Sequence, residues 1–398
     1  MHTLYGYCQR KANEIDMKVT IVADVLGEEN NGTTIACMNL VRYLKQCGDE
    51  VKVLCCDKDK KGLPGYYIVP TRHYGFIIDK AIKRNNVTIA KPKKKIILQA
   101  LEGADVCHIM LPFALGRAAL KYAKELGIPV SMGFHCQAEN FTAHFGIGMY
   151  SRLFNRMMYR RFYNKCYSIV NAVHYPTEFI RQTFEKEVKH KTNAYVISNG
   201  VNDQYRHIDI AKREAPFDKY YNILFIGRYC KEKTQSVLIN AVAKSKYKDK
   251  IQLIFAGQGP DKKKMIKLSQ KRKIIPPILG FYDRQTLVKI INSCDLYVHA
   301  SEIEIEAISA LEAISCGLVP VISDSKKSAT NAFALDEKNL FKNRDAKDLA
   351  RKIDYWIENE DVKKEYQIRY KNFAQAFDQS TCMHQMREML ESIRGNNA

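Results

Sequence analysis

The sequence predicts an α/β fold built from two doubly wound parallel sheets in tandem, and three observations carry that prediction. Short apolar runs of strand length alternate with amphipathic helical stretches along most of the chain, the pattern of a parallel sheet covered on both faces. The alternation is interrupted by the polar stretch "SNGVNDQYRHIDIAKREAPFDKY" and restarts near Asn222. At 398 residues the chain is long enough for two ordinary domains and too long for one typical core.

The first strand is "KVTIVAD", Lys18 to Asp24, followed by the glycine-containing loop "VLGEENNG". In "TTIACMNLVRYLKQCG" the residues Cys37, Leu40, Val41 and Leu44 fall at i, i+3, i+4, i+7, one face of a helix that Gly48 stops. Strand candidates "VKVLCC", "ADVCHIML", "IPVSMGF", "NAVHYP" and "NAYVIS" follow, with the helical "GRAALKYAKELG" among them. The second set runs strand "NILFIG", helix "TQSVLINAVAKS", strand "IQLIFAG", helix "PDKKKMIKLSQKR", "PPILGF", helix "RQTLVKIINS", strand "DLYVHAS", helix "AISALEAISCG" and strand "LVPVIS". The tail is helical, with Ala346, Leu349, Ile353 and Ile357 on one face. These elements predict a first Rossmann-like domain over 1–205, a second over 206–377, and a C-terminal helix over 378–398 that returns to the first.

Composition narrows the function. Hydrophobic residues at 46% and charged residues at 27% are those of a folded soluble protein. Twelve cysteines without a C-x-x-C pair read as reduced, buried thiols. No apolar run approaches the ~20 residues that span a bilayer, and the first sixteen residues lack a signal peptide's apolar centre; the expected location is cytoplasmic. A net charge of +20 recruits polyanions: nucleic acid, anionic headgroups or phosphorylated substrates. The basic residues are spread over two α/β domains with no nucleic-acid reading motif, so no nucleic-acid partner is expected, although a basic nucleotide- or nucleic-acid-binding protein that catalyses no reaction is the competing class. No G-x-G-x-x-G is present, which argues against a nicotinamide cofactor.

Four segments carry candidate chemistry. In "FIGRYCKEKT" a strand ends at Gly227, where the backbone can turn sharply, and Arg228 and Lys233 follow as the next helix opens. Ligands of doubly wound sheets sit outside the carboxyl ends of strands, and two cations there can hold a diphosphate; a solvated basic turn is the other reading. In "SEIEIEAISALEAISCG" an acidic loop leads into a helix starting near Ala307 and Ile308, whose free N–H groups favour an anion. Glu304 precedes that helix and Glu312 lies inside it, placed to accept hydrogen bonds from paired hydroxyls; simple complementation of the helix dipole by Glu302, Glu304 and Glu306 is the alternative. "IPVSMGFHCQAENF" delivers His135 at the end of a strand, whereas His108 and His174 read as ordinary structural histidines. The loop "GEENNGTT" allows close backbone approach to a ligand at Gly32.

Taken in order, "NGTTIACMNLVRYLKQCGDEVKVL", "ADVCHIMLP", "IPVSMGFHCQAEN", "YVISNGVND", "LFIGRYCKEKT", "IFAGQGP", "GFYDRQTL", "DLYVHAS" and "ALEAISCGLVPV" resemble retaining, GT-B fold glycosyltransferases of family 4 over nearly the whole chain from Met17. The resemblance implies two Rossmann-like domains facing each other across a cleft, with C-terminal helices packing back. It implies that the second domain binds a nucleotide-sugar donor: Arg228 and Lys233, beside Gly227, on the diphosphate; Glu304 on the donor sugar; Glu312 on the ribose; and the backbone at Ala307 and Ile308 directed at the sugar. It further implies His135 beside the reacting sugar and Gly32 over the phosphates and donor. The family's glycine-rich run after the first glutamate is replaced here by Ile305, Glu306 and Ala307. Spacing to Glu312 selects Glu304 from the three alternating glutamates, with Glu302 and Glu306 as alternatives.

The resemblance also implies front-face transfer with retention, in which the leaving diphosphate, stabilised by cations and a helix N-terminus, helps deprotonate the acceptor. No metal and no cofactor are expected, since no metal-ligand cluster shows in the sequence. UDP-glucose or UDP-galactose is the favoured donor by family prevalence; a cell-surface polysaccharide enzyme using a donor such as GDP-mannose is the alternative. "AIKRNNVTIAKPKKKIIL" and "MYSRLFNRMMYRRFYNK" mix cations with apolar residues, which predicts peripheral attachment to an anionic membrane surface and a lipid, lipid-linked or glycan acceptor. A basic solvated helix over a core face is the other reading of each.

Overall fold

A computed structural model describes residues 17–24, 32–72, 90–139, 151–210 and 213–394. The chain divides into two compact units, residues 1–199 with 380–398 and residues 200–379. The division falls a little before the expected 205/206 boundary because Val201 and Tyr205 are buried in the core of the second unit.

In the first unit, β1 (Lys18–Val22), α1 (Gly32–Gln46), β2 (Glu50–Cys55), β3 (Tyr66–Ile68), α2 (Lys94–Leu101), β4 (Val106–Ile109), α3 (Ala114–Glu125), β5 (Val130–Gly133), α4 (Arg152–Phe162), β6 (Ala172–Tyr175), α5 (Glu178–Val188) and β7 (Ala194–Val196) follow in order. Their strands form one parallel sheet, β3-β2-β1-β4-β5-β6-β7. Every residue of β4, β5 and β6 is buried, as befits strands covered on both faces. On α1 the predicted stripe of Cys37, Leu40, Val41 and Leu44 is buried together with Val19 and Ile21 of β1.

The second unit contains β8 (Tyr221–Ile226), α6 (Gln235–Val242), β9 (Ile251–Ala256), α7 (Lys262–Arg272), β10 (Ile278–Gly280), α8 (Arg284–Asn292), β11 (Leu296–His299), α9 (Ile308–Ser315), β12 (Pro320–Ser323), β13 (Leu340–Phe341), α10 (Ala346–Glu358) and α11 (Glu360–Ala374). Its sheet is also parallel, ordered β10-β9-β8-β11-β12-β13. Asp345 caps α10, accepting from the Lys347 and Asp348 N–H groups at 2.8 and 3.0 Å, a contact worth about 1 kcal/mol. Behind that cap Leu349, Ile353 and Trp356 are fully buried.

The last helix, α12 (Gln379–Arg394), lies in the first unit from Ser380 onward. It buries Cys382, Met383, Met386, Met389, Leu390 and Ile393 in the core that contains β1 and α1. Arg387 grips the buried Asp49 carboxylate with two N–H groups at 2.8 and 3.0 Å. Among the described residues no helix is long and apolar enough to cross a membrane, and the eleven cysteines are free.

Both sheets reverse strand order beside their first strand, between β1 and β4 and between β8 and β11. Such reversals open a crevice at the carboxyl ends of the strands, where helices leave toward opposite faces.

Candidate functional site

At the second unit's reversal, two loops meet. β8 ends at Gly227, whose φ of +154° suits a residue without a side chain. Across from it, Gly257 after β9 packs so closely that a Cβ there would lie 2.1 Å from the Gly227 carbonyl oxygen. The loop leaving β8 carries Arg228, half exposed and paired with Glu232 at 3.1 Å, and then Lys233. The loop leaving β11 carries the three alternating glutamates.

Those glutamates have different surroundings. Glu302 is buried and ion-paired with Arg344, and its backbone N–H donates to the Glu232 carbonyl at 2.9 Å. Glu304 pairs with Lys233 and accepts from His299 Nε2 at 3.1 Å. Glu306 is buried. Burial opposes the charge of Glu304, but Lys233 and His299 outweigh it and hold the carboxyl well below the usual carboxylate range. An ionised Glu304 can only accept, so His299 donates through Nε2 and its Nδ1 accepts from the Tyr297 hydroxyl at 2.9 Å. Burial pushes the His299 pKa down, which Glu304 only partly offsets.

Ala307 is the N-cap of α9 and sits at φ +61°, ψ +65°, in the left-handed region. That conformation costs an L-residue roughly 1–2 kcal/mol. Ile308 opens the helix, and Ala307 supplies no side-chain cap to its first-turn N–H groups. Within α9, burial raises the Glu312 carboxyl from 4.5 to about 7, against a hydrogen bond from Tyr205 and the charge of Arg284. Gly227, Arg228, Lys233, Glu304, Ala307, Ile308 and Glu312 thus all stand on the two loops and the short helix at one strand reversal. An ammonium, a guanidinium, a helix N-terminus and two carboxylates there can bind a phosphate next to hydroxyl groups.

In the first unit, Gly32 is the exposed first residue of α1, while the rest of its loop, 25–31, lies outside the described residues. His135 follows β5, as expected of a strand-end residue, but its ring folds back over Gly133, with Nε2 buried and unpartnered. It is grouped with His108 and His174, which the sequence did not single out. Burial lowers the pKa of all three, to about 3 for His108 and about 4 for His174, so the imidazoles are neutral. The three are far apart in sequence, where no cluster showed, and the strand order brings one nitrogen of each to within 4.8 Å of the others.

Sequence reasoning missed three further groups. His299 and Tyr297 share a strand face at period two, and nothing in the sequence marked them as partners of the acidic loop that follows. Tyr205 lies in the polar stretch before the second unit, where nothing pointed to Glu312. Asp24, after β1, has a buried carboxyl raised to about 7 by desolvation, which backbone N–H groups of Leu115, Ala90 and Gly116 and the charge of Arg117 only partly offset.

Two parallel α/β units with these loops at a strand reversal match known glycosyltransferases. Residues 30–205 match the model of Glycosyltransferase Family 4, and residues 207–375 that of glycosyl transferases group 1. The chain belongs to the family 4 glycosyltransferases and has their GT-B fold. It is 24% identical to the alpha-monoglucosyldiacylglycerol synthase of Streptococcus pneumoniae over 79% of this chain and 73% of that protein. It is 25% identical to the GDP-mannose-dependent alpha-mannosyltransferase of Mycolicibacterium smegmatis over 77% and 79%. Among solved structures, Anabaena Alr3699/HepE in complex with UDP and glucose superposes with a TM-score of 0.72 at 14% identity, over 94% of this chain and 100% of that one. The catalytic domain of cholesterol-alpha-glucosyltransferase from Helicobacter pylori aligns at 49% identity over 39% of this chain and 97% of that one, with a TM-score of 0.36.

Proposed function

We propose that this glycosyltransferase moves a hexose, with retention of configuration and without a metal, from a UDP-sugar to a lipid or lipid-linked acceptor at a membrane surface. The observation that carries the donor half is the part-buried pairing of Lys233 with Glu304 beside Arg228 at the β8/β11 reversal. When a donor binds, Arg228 and Lys233 hold the diphosphate with the N-terminus of α9, at Ala307 and Ile308. Glu304, kept ionised, accepts from hydroxyls of the sugar, and Glu312 accepts from the ribose. Transfer then proceeds on one face of the sugar: the diphosphate oxygen takes the acceptor's proton as the glycosidic bond to it breaks, and the cations stabilise the charge left behind. UDP-glucose or UDP-galactose is the donor proposed; the mannosyltransferase relatives favour GDP-mannose as the second reading.

The acceptor half rests on α4. This helix buries Asn155, Tyr159 and Phe162 and turns Leu153 (80% exposed), Phe154 and Met157 outward among Arg152, Arg160 and Arg161. Apolar side chains presented between cations suit an anionic lipid surface, as do Lys93, Lys94 and Lys95, exposed at the start of α2; residues 81–89 of that basic stretch lie outside the described residues. The diacylglycerol-lipid synthase relatives act in the same direction. The test is nucleotide release from UDP-glucose, UDP-galactose and GDP-mannose, with and without vesicles carrying diacylglycerol, monoglycosyldiacylglycerol or sterol. Release stimulated by one lipid with one UDP-sugar is expected. Equal release with and without every lipid, together with no sedimentation on anionic vesicles at low salt, overturns the acceptor assignment.

A further inference from the structure

We propose that His108, His135 and His174 form a binding site for one divalent transition-metal ion of the zinc class within the first unit's sheet. The sequence positions that build it follow from parallel register. β4, β5 and β6 are neighbours, with His108 opposite Ser131 and His174 opposite Gly133. Register partners in a parallel pair point to one face, and side chains along a strand alternate, so Ser131 and Gly133 share the face of both histidines. His135, two residues on, joins them there by lying over Gly133. A Cβ at Gly133 would come within 2.5 Å of His135 Nε2, so the ring takes the space the glycine leaves.

Each flanking histidine is oriented through one nitrogen and left open through the other. His174 Nε2 lies 2.7 Å from the Ile197 carbonyl, so it carries the proton and Nδ1 keeps its lone pair. His108 Nδ1 lies 2.8 Å from Ser131 Oγ. The remaining nitrogens, His108 Nε2, His174 Nδ1 and His135 Nε2, are buried without a hydrogen-bond partner. All three candidate ligand atoms lie within 4.8 Å of one another. Three buried polar atoms without partners in one cluster are costly, and a shared cation satisfies them together. Zinc takes imidazole nitrogens at about 2.0–2.1 Å in a tetrahedron, which small ring movements from this spacing reach, with water in the fourth position. Backbone-carbonyl and hydroxyl partners on the far nitrogens are the usual supports of metal-bound histidines. An all-imidazole set suits zinc, copper, nickel or iron and disfavours magnesium or calcium.

The test uses the full chain produced without a histidine tag, stripped with EDTA and titrated with Co²⁺, whose visible d–d bands report tetrahedral nitrogen ligation. One Co²⁺ per chain, displaced by Zn²⁺, is expected. His174→Ala and His135→Gln should each weaken binding about tenfold or more, with circular dichroism confirming that the variant is folded, while His190→Ala, outside the cluster, should bind as the parent does. Absence of stoichiometric binding, or bands that persist unchanged in both cluster variants, overturns the proposal. If His174→Ala does not fold, His135→Gln, placed after the strand rather than in it, decides alone.

Discussion

Glu312 offers a direct check on how the second unit's site is poised. Its carboxyl is raised from 4.5 to about 7, chiefly by burial, so the folded state holds the proton more tightly than the unfolded chain does. The stabilisation is therefore complete below pH 4.5 and is lost as the pH rises through about 7. At 1.36 kcal/mol for each pH unit, the loss is on the order of 3 kcal/mol. Glu312→Gln keeps the shape and removes the titration, so the stability of the parent relative to this variant should fall by that amount between pH 4.5 and 8. Urea unfolding at successive pH values measures it, and Trp356, the chain's one tryptophan, reports on the second unit from a fully buried position. A difference between parent and variant that stays flat across this range would refute the reasoning. On the proposed role for Glu312, affinity for UDP should rise over the same interval, as the carboxylate that accepts ribose hydroxyls forms.

Three further outcomes are expected. Lys233→Met leaves the Glu304 carboxylate buried with only His299 and should cost roughly 2–4 kcal/mol in urea unfolding, of which Lys233→Met/Glu304→Gln recovers a part; equal loss in both would deny the pairing. Glu304→Gln should lower kcat at least tenfold while Glu306→Gln leaves most turnover, and the reverse order in a donor-hydrolysis assay would move the sugar contact to Glu306. Ala307→Gly relieves a left-handed alanine and should raise stability by up to about 1 kcal/mol, seen as a Tm higher by a few degrees; a lower Tm would mean that the methyl group's packing outweighs the strain.

The fold was legible wherever a single segment carried its own period. The Cys37, Leu40, Val41 and Leu44 stripe and the continuous apolar runs of β8, β9 and β11 needed no partner to be read, because burial on one helical face or on both strand faces leaves a local mark. The pairing of Lys233 with Glu304 spans 71 residues; resemblance to a family put both at one donor site without pairing them. Tyr205 beside Glu312, and the three histidines of the first sheet, left no local mark at all. Which residues of parallel strands stand side by side depends on register, and register is set by helices and loops elsewhere in the chain. Hence His108 and His174 looked like ordinary buried residues until Gly133 showed the space between them.

The placement of α12 bears on how the protein is made. Most of the first unit precedes the second in the chain, yet part of its apolar core comes from Met383, Met386, Met389, Leu390 and Ile393, which leave the ribosome only after the whole of the second unit. Until then Leu40, Val41 and Leu44 of α1 and the Asp49 carboxylate lack their partners on this helix. Domains generally fold as units during synthesis, with the N-terminal one first; here the second unit, whose residues are contiguous, can finish while the first is still waiting. The first unit without α12 is thus the aggregation-sensitive state, and a chain that stops before α12 would be released in it.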